Sequence, residues 1–240
     1  MPSLDRRQAT VRREVRARRE ARPLEQLQEA VSTLAPVRPF TEDIGGEEIS
    51  FVQRAKHADA AVVEQATRAE VAGLAAGIDG LAALAAQTSL PLLLTDMVVD
   101  GYQLYEARLA GAGGVVLIAA AFEEDGDHLD DLYGLAGELA LDVIVEVSDE
   151  DEIERVLDEL DPDSFLIRNR DADGAVDLER TYSLLEEVPA GKVVLSQGGV
   201  RERDQVLELE RAGVDGVILG PWTLDGDLAA TLRTLRGDIR

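Results

Sequence analysis

The sequence predicts a single (β/α)₈ barrel, the TIM-barrel architecture, with an extra helix at its N-terminus. The chain has 240 residues, a length at which such barrels commonly form one domain. From residue 48 onward, short β-branched runs alternate with helical patterns, which is typical of parallel βαβ units. Hydrophobic residues make up 45% of the chain, enough for one well-buried core. We therefore expect an N-terminal helix and connector over 1–47, packed on a barrel over 48–240.

The first 22 residues predict a basic amphipathic helix. They contain eight arginines and three acidic residues, and Leu4, Val11 and Val15 recur at helical spacing. We expect this helix to pack across the barrel and to pair with the acidic remainder of the chain. Nucleic-acid binding is the less favoured alternative, because that acidic remainder would repel phosphate.

Eight strands can be placed after this segment, each a short apolar run. They are predicted at 49–54, 72–78, 90–96, 114–120, 142–148, 164–170, 192–198 and 216–220. The second has the weakest pattern because Gly and Ala dominate it. In a barrel the active site lies at the carboxyl ends of the strands, so we expect chemistry at Gln53, Thr95, Glu146, Arg168 and Gln197.

Helical patterns lie between these strands, and several begin with Asp, which can accept hydrogen bonds from the first free backbone N–H groups. The predicted helices include 59–70, 101–110, 127–139, 149–160, 177–187 and 201–212. Two similar segments, AGAGGVVLI and AGVDGVILG, each contain a helix end, a glycine turn and a strand. This similarity indicates a repeated unit within the barrel.

Composition excludes several kinds of site. The absence of cysteine excludes disulfides, thiolate metal sites and cysteine nucleophiles. The two histidines, His57 and His128, are too few for a His-rich metal site, and we expect neither a metal nor a cofactor. No apolar run approaches the roughly 18 residues of a membrane span, and the N-terminus has no apolar secretion segment. We therefore expect a cytoplasmic protein without membrane contact.

The formal charge is -24, from 48 acidic and 24 basic residues. Self-repulsion of this size destabilises a compact state in dilute buffer, but molar salt screens it because the Debye length falls to about 3 Å. We interpret the charge as adaptation to a saline, halophilic cytoplasm. The alternative is an acidic surface for a basic partner. The charge is spread along the chain, which favours a solvated surface.

The segment LPLLLTDMVVDGYQLYEARLAGAGGVVLI, residues 90–118, resembles the third- and fourth-strand region of the indole-3-glycerol-phosphate synthase family. IVEVSDEDE, FLIRNRD, VVLSQGGV and AGVDGVILG follow in that family's order and spacing. The RPF at 38–40 and the first-strand segment FVQRA also fit, so the resemblance covers nearly the whole chain. It implies a barrel enzyme of tryptophan biosynthesis, a carbon–carbon lyase that closes an indole ring with loss of carbon dioxide and water.

Most residues that the resemblance implies for this chemistry are replaced. The family's first-strand Glu-x-Lys is Phe-Val-Gln at 51–53, and its third-strand Lys-Asp-Phe is Thr-Asp-Met at 95–97. The second of these changes removes the lysine that serves as general acid. The family's strand-five glutamate is retained as Glu146. Its strand-six asparagine is Arg168 here, although Asn169 follows.

The family's phosphate cradle consists of backbone N–H groups after strands seven and eight. Its Ser-Glu-Ser-Gly is Ser-Gln-Gly-Gly at 196–199, and Pro221, which has no N–H, follows Gly220. We therefore expect phosphate binding to be weakened but not lost. The loops after strands one and two, which would cover the substrate, are also shorter than the family's. By position, the resemblance assigns substrate binding to Gln53, Thr95, Asn169, Gln197, Gly198, Gly199 and Gly220.

Glu146 and Arg168 are the charges that remain at the predicted barrel mouth. A lone buried charge is costly, and Glu146 is in phase with the inward residue Ile144, so we predict an ion pair with Arg168 on the next strand. A general-base role for Glu146 is the alternative. Lys56, just past strand one, is a candidate relocated acid, and the alternative for it is an ordinary exposed loop lysine.

Three functions are therefore open. The favoured one is a divergent pseudoenzyme without the ring-closing decarboxylase activity, which binds a small phosphorylated or carboxylated ligand, a protein partner or a second copy of itself. The second is a lyase of changed chemistry that uses Glu146 with Lys56 or Arg168. The third is an active synthase with a replaced general acid, a role that arginine fills poorly because its pKa exceeds about 12.

Overall fold

Eight parallel strands pair in chain order, and the last pairs with the first, which closes a barrel. The computed structural model describes residues 4–46, 48–122, 126–170 and 174–238. The strands are β1 (Ser50–Arg54), β2 (Gly73–Ala76), β3 (Leu92–Leu94), β4 (Gly114–Ile118), β5 (Asp142–Val147), β6 (Ser164–Arg168), β7 (Val193–Gln197) and β8 (Gly216–Leu219). The predicted (β/α)₈ fold is confirmed, with each strand trimmed at one or both ends.

Two helices precede β1, and one helix follows each strand to form the outer layer. Within the described residues they are α1 (Leu4–Ala21), α2 (Leu24–Ser32), α3 (Ala60–Arg68), α4 (Ile78–Ala85), α5 (Gly101–Leu109), α6 (Gly126–Glu138), α7 (Glu150–Glu159), α8 (Glu179–Leu185), α9 (Arg203–Ala212) and α10 (Leu228–Arg236). Asp59, Asp100 and Asp149 cap α3, α5 and α7 through their carboxylates, as such residues should. No described helix is long and apolar enough to cross a membrane.

The predicted second strand extends too far. It ends at Ala76, and the backbone turns into α4 at Ile78. The helix begins there because Asp96, just after the carboxyl end of β3, accepts a hydrogen bond from the Ile78 backbone N–H at 2.8 Å. This carboxylate satisfies one of the free N–H groups at the start of α4 and so fixes where the helix begins.

The connector between α2 and β1 closes the amino end of the barrel. Phe40 is fully buried against the first residues of β2 and β4. A Cβ atom on Gly73 or Gly114 would lie 2.8 Å from the Phe40 side chain, so glycine at both positions makes room for the ring. Beside it, the Thr41 backbone N–H and hydroxyl both donate to Asp142 at 2.7 Å. The carboxyl end is therefore where a ligand can enter.

Helix α1 packs on α5 beside the carboxyl end of the barrel. Val15 of α1 is buried against Leu27 and Tyr102 in a cluster separate from the main core. The Tyr102 hydroxyl donates to the carbonyls of Arg18 and Arg22 at 3.2 and 3.0 Å. Arg18 also pairs with Glu106 of α5 at 2.9 Å. These contacts fix α1 in register, which places its first turn near the barrel mouth.

Candidate functional site

The carboxyl end of the barrel opens into a cavity of about 270 Å³ between the strand ends and α1. Among the described residues, its charged lining consists of four arginines and one carboxylate: Arg7, Arg54, Arg168, Arg170 and Glu146. The walls between these groups are apolar side chains of β4, β6 and β8. The mouth is therefore cationic, although the chain as a whole carries a formal charge of -24.

Strand register determines which side chains enter this cavity. Paired residues of parallel strands share a face, and Arg168 pairs with Gln197, both of which line the cavity. On β1, Val52 pairs with Ile218, an inward residue of β8, so Arg54 two positions later also faces inward. Strand β6 thus supplies one cation to the mouth and β1 another, and α1 adds Arg7 from its first turn.

Glu146 and Arg168 form the predicted ion pair. Arg168 Nη1 lies 3.2 Å from Glu146 Oε1, and the exposed fractions of the two side chains are 26% and 9%. The carboxylate is thus buried, whereas the guanidinium reaches the cavity. Burial raises the pKa of the Glu146 carboxyl above its usual value, and the opposing effect of Arg168, followed by Arg7 and Arg54, only partly offsets it.

Gln53 lies on the opposite face of β1, outside the cavity. Its amide nitrogen donates to the Arg54 carbonyl at 2.8 Å and to the Gly220 carbonyl at 3.3 Å, and Thr223 Oγ1 donates to its amide oxygen at 2.6 Å. Its polar atoms are thus bonded within the protein. Sequence reasoning missed Arg54, because the family's Glu-x-Lys spacing directed attention to Gln53. Alternation with the buried Val52 is the signal that could have found it.

Asn169 also faces away from the cavity and is fully buried. Its amide nitrogen donates to Ser196 Oγ at 2.8 Å and to the Gly198 carbonyl at 3.1 Å, and its amide oxygen accepts from Thr181 Oγ1 at 2.7 Å. These bonds connect β6, β7 and α8. They leave the Asn169 side chain with a structural role in this chain. Asp171, which ends the FLIRNRD segment, lies outside the described residues.

Thr95, Gln197, Gly198 and Gly220 line the cavity, and their role in ligand binding stays a prediction. Thr95 Oγ1 makes one long contact, 3.4 Å, with the Ala76 carbonyl. The Gln197 side chain forms no hydrogen bond with any other residue in the described ranges, so its amide is available to a ligand. Lys56 is exposed on the loop after β1 and is not part of the cavity lining. The structure therefore does not bring Lys56 together with Glu146.

The glycines after β7 and β8 are packed against bulky side chains. Gly199 has a φ of 96°, and a Cβ there would lie 2.5 Å from Val176. A Cβ on Gly220 would lie 2.9 Å from the Trp222 ring, and Trp222 itself lines the cavity. Pro221, which lies between Gly220 and Trp222 in the sequence, has no backbone N–H to donate. Pro221 thus leaves this loop one backbone donor fewer, and the donors in the mouth are mainly guanidinium groups.

A second cavity of about 310 Å³ adjoins the first and shares Arg7, Arg54 and Thr95 with it. It lies between α1, the start of α4 and α5, and its remaining charged residues are Glu14, Arg18, Asp79, Asp96 and Glu106. Its charges are mixed, in contrast to the cationic mouth. Across the described ranges, no group of three or more His, Cys, Asp or Glu residues is arranged to hold a metal ion.

Comparison with known proteins identifies similar sequences over most of the chain. A family model described as indole-3-glycerol phosphate synthase matches residues 53–235. Among curated proteins of that name, one from Chlorobium phaeovibrioides is 31% identical over 87% of this chain and 89% of its own length. One from Leuconostoc mesenteroides is 34% identical over 67% of this chain. The matches to the Leuconostoc protein and to one from Lachnospira eligens span only 61% and 51% of those relatives.

Solved structures with the same fold include the tryptophan synthase α-subunit from Pyrococcus furiosus. It superposes with a TM-score of 0.62 over 81% of this chain and 99% of its own, at 14% identity. A structure from work on mutual activation of the tryptophan synthase α2β2 complex of the same organism superposes with a TM-score of 0.61, also at 14% identity. At this identity, the likeness concerns the fold alone.

Proposed function

We propose that this chain, which belongs to the indole-3-glycerol phosphate synthase family, binds a small anionic ligand at the barrel mouth and lacks the family's ring-closing activity. The observation that carries the proposal is the lining of the mouth, where four arginines accompany a single carboxylate. Guanidinium groups form strong, charge-assisted hydrogen bonds with carboxylate and phosphate. Their concentration in one cavity of a strongly acidic protein favours an anionic ligand there.

The same lining argues against the ring closure that the relatives' name implies. That reaction needs a proton donor and a proton acceptor of separate pKa near the reacting atoms. Among the described lining residues, Glu146 is the one group able to exchange protons near neutral pH, because the pKa of arginine exceeds about 12. Thr95 stands where the family carries its acidic lysine.

An active carbon–carbon lyase is the second candidate. The observation that favours it is Glu146, because a buried carboxyl with a raised pKa beside a cation is suited to proton transfer. In that case Arg168 would orient or stabilise an anionic intermediate rather than donate a proton. Lys56 does not enter this version, since it lies outside the cavity lining.

The turnover test separates these candidates. With carboxyphenylamino-deoxyribulose phosphate as substrate, we expect no indole-glycerol phosphate, because the mouth holds one proton-exchanging group instead of two. Product formation can be followed by absorbance and fluorescence, with an authentic family enzyme as the positive control. Turnover that Glu146→Gln abolishes would establish the lyase and refute the proposal.

Binding of simple anions tests the site itself. We expect Arg54→Met to weaken the binding of succinate or glycerol phosphate by about tenfold or more, because a charge-assisted hydrogen bond contributes about 1.5 to 3 kcal/mol. Calorimetric titration at one fixed KCl concentration measures this loss. The matched control is Arg211→Met, which removes an exposed arginine of α9 far from the mouth. Equal affinities in the two variants would place the anion elsewhere.

A further inference from the structure

We propose that the anion binds by exchange, replacing Glu146 as the partner of Arg168 while Glu146 takes up a proton. The ligand class that this mouth selects is a compact organic dianion, with one acid group on Arg168 and the second on Arg54 across the cavity, beside Arg7. This inference rests on the proposed function, since it requires that an anion bind in the cavity. Beyond the proposed function, it specifies that the ligand carries two negative charges and that Glu146 takes up one proton when the ligand binds.

The dianion follows from the distribution of the cations. Arg168 ends β6 and Arg170 follows two residues later, whereas Arg54 ends β1. In the closed strand order, β7 and β8 separate β6 from β1, so these guanidinium groups approach the cavity from different walls. Arg7 reaches the same cavity from helix α1, which lies beside the carboxyl end of the barrel. A cavity of about 270 Å³ holds only a small molecule, so two acid groups on a short skeleton could engage both walls at once.

The exchange follows from the relative depth of the ion-paired groups. Glu146 is buried behind Arg168, whose side chain is about one-quarter exposed and reaches the cavity. An anion that reaches Arg168 therefore comes close to the Glu146 carboxylate, which sits 3.2 Å from the same guanidinium. Two carboxylates in such proximity cannot both remain ionised cheaply, so the buried one is the one that protonates. The proton comes from solvent, and no covalent bond forms or breaks.

The surroundings of Glu146 make protonation feasible. The charged groups that act on it are Arg168 from β6, Arg7 from α1 and Arg54 from β1, and Arg170 after β6 lines the same cavity. Its pairing partners on the neighbouring strands, Ile118 of β4 and Leu166 of β6, are apolar. Once the ligand occupies the arginines, these cations neutralise the ligand instead, and both burial and the ligand's negative charge act on Glu146. Burial favours the neutral acid.

The test is the proton count of binding. Because binding takes up a proton, the affinity for succinate should fall as pH rises from about 6.5 to about 8.5, approaching tenfold per pH unit for a full proton. Titration calorimetry in two buffers of different ionisation enthalpy counts the protons directly. Glu146→Gln should bind succinate more tightly than the wild type and show no pH dependence in this window. Glu154→Gln, an exposed carboxylate of α7, is the control for net charge and should behave as the wild type.

Further arms test the ligand class. Succinate should bind at least about tenfold more tightly than butyrate, since the second acid group adds a charge-assisted contact. Phosphoglycolate, which carries one carboxylate and one phosphate, shows by comparison with succinate whether one of the two acid groups is a phosphate. Equal binding of succinate and butyrate would overturn the dianion.

Each failure has its own signature. Binding of succinate to the wild type without proton uptake overturns the exchange, even if Glu146→Gln cannot be purified. Failure of Glu146→Gln to bind more tightly also overturns it, while the anion site stands. If neither succinate nor glycerol phosphate binds to the wild type or to Glu146→Gln, the proposed function itself is wrong.

Discussion

Raising KCl from about 0.1 M to about 2 M is expected to raise the melting temperature by about 10 °C or more. The physical reason is the net charge of -24, which makes the folded state repel itself. Ion pairs within the described residues engage seven carboxylates, a small share of the 48 acidic residues. Salt screens the repulsion among the remaining carboxylates of the folded state. In the unfolded chain the charges lie farther apart and repel less, so salt stabilises the folded state more than the unfolded one.

Differential scanning calorimetry across the salt series measures this effect. Sucrose at matched osmolality is the control, because it also favours the compact state but screens no charge. A melting temperature that is flat or falls with KCl would remove the interpretation of salt adaptation. The same salt should weaken anion binding at the mouth, since chloride competes for the guanidinium groups. Stability and affinity are therefore expected to move in opposite directions along the series.

The barrel could be predicted from sequence because each strand and helix has a local signal. The strands are short apolar runs, and most of the predicted helices lie within a few residues of the observed ones. The start of α4 was not predicted, because the contact that fixes it joins Ile78 to Asp96, which is distant in sequence. Local pattern carries no information about such a partner.

The candidate site was only partly predictable, for two different reasons. On β1 a one-residue shift separates the expected position, Gln53, from the inward one, Arg54, and a shift of one residue moves a side chain to the other face. The family motif pointed to Gln53, whereas the alternation of side chains along β1 points to Arg54, and the structure agrees with the alternation.

Arg7 has no sequence signal of its own, because its place at the mouth depends on how α1 docks through Tyr102 and Glu106. By contrast, the pairing of Glu146 with Arg168 could be predicted from strand parity, the cost of a lone buried charge and the positions that the family resemblance assigned.

Arg168→Ala is expected to lower the free energy of unfolding by about 3 kcal/mol near neutral pH, the lower end for breaking a buried pair, because Arg168 is partly exposed. The substitution leaves the Glu146 carboxylate buried without its partner. Burial already raises the pKa of Glu146, so its protonated form stabilises the fold at low pH and that stabilisation is lost as pH rises through the folded-state pKa. Removing Arg168 raises this pKa further. The loss of stability should therefore be larger at alkaline than at acidic pH.

A double-mutant cycle tests whether the two groups act as a pair. Glu146→Gln should cost less than Arg168→Ala, because the remaining guanidinium can be solvated from the cavity, and the double variant should cost less than the sum of the single ones. Urea denaturation at two pH values and constant KCl gives all four free energies. The comparison pair is Arg68 and Asp227 at 3.5 Å, whose side chains are 54% and 53% exposed. Its coupling should be about 1 kcal/mol or less, as for surface pairs. If the Glu146 cycle is additive, the pair does not stabilise the fold, Glu146 is free to act as a base, and the lyase becomes the better account of this mouth.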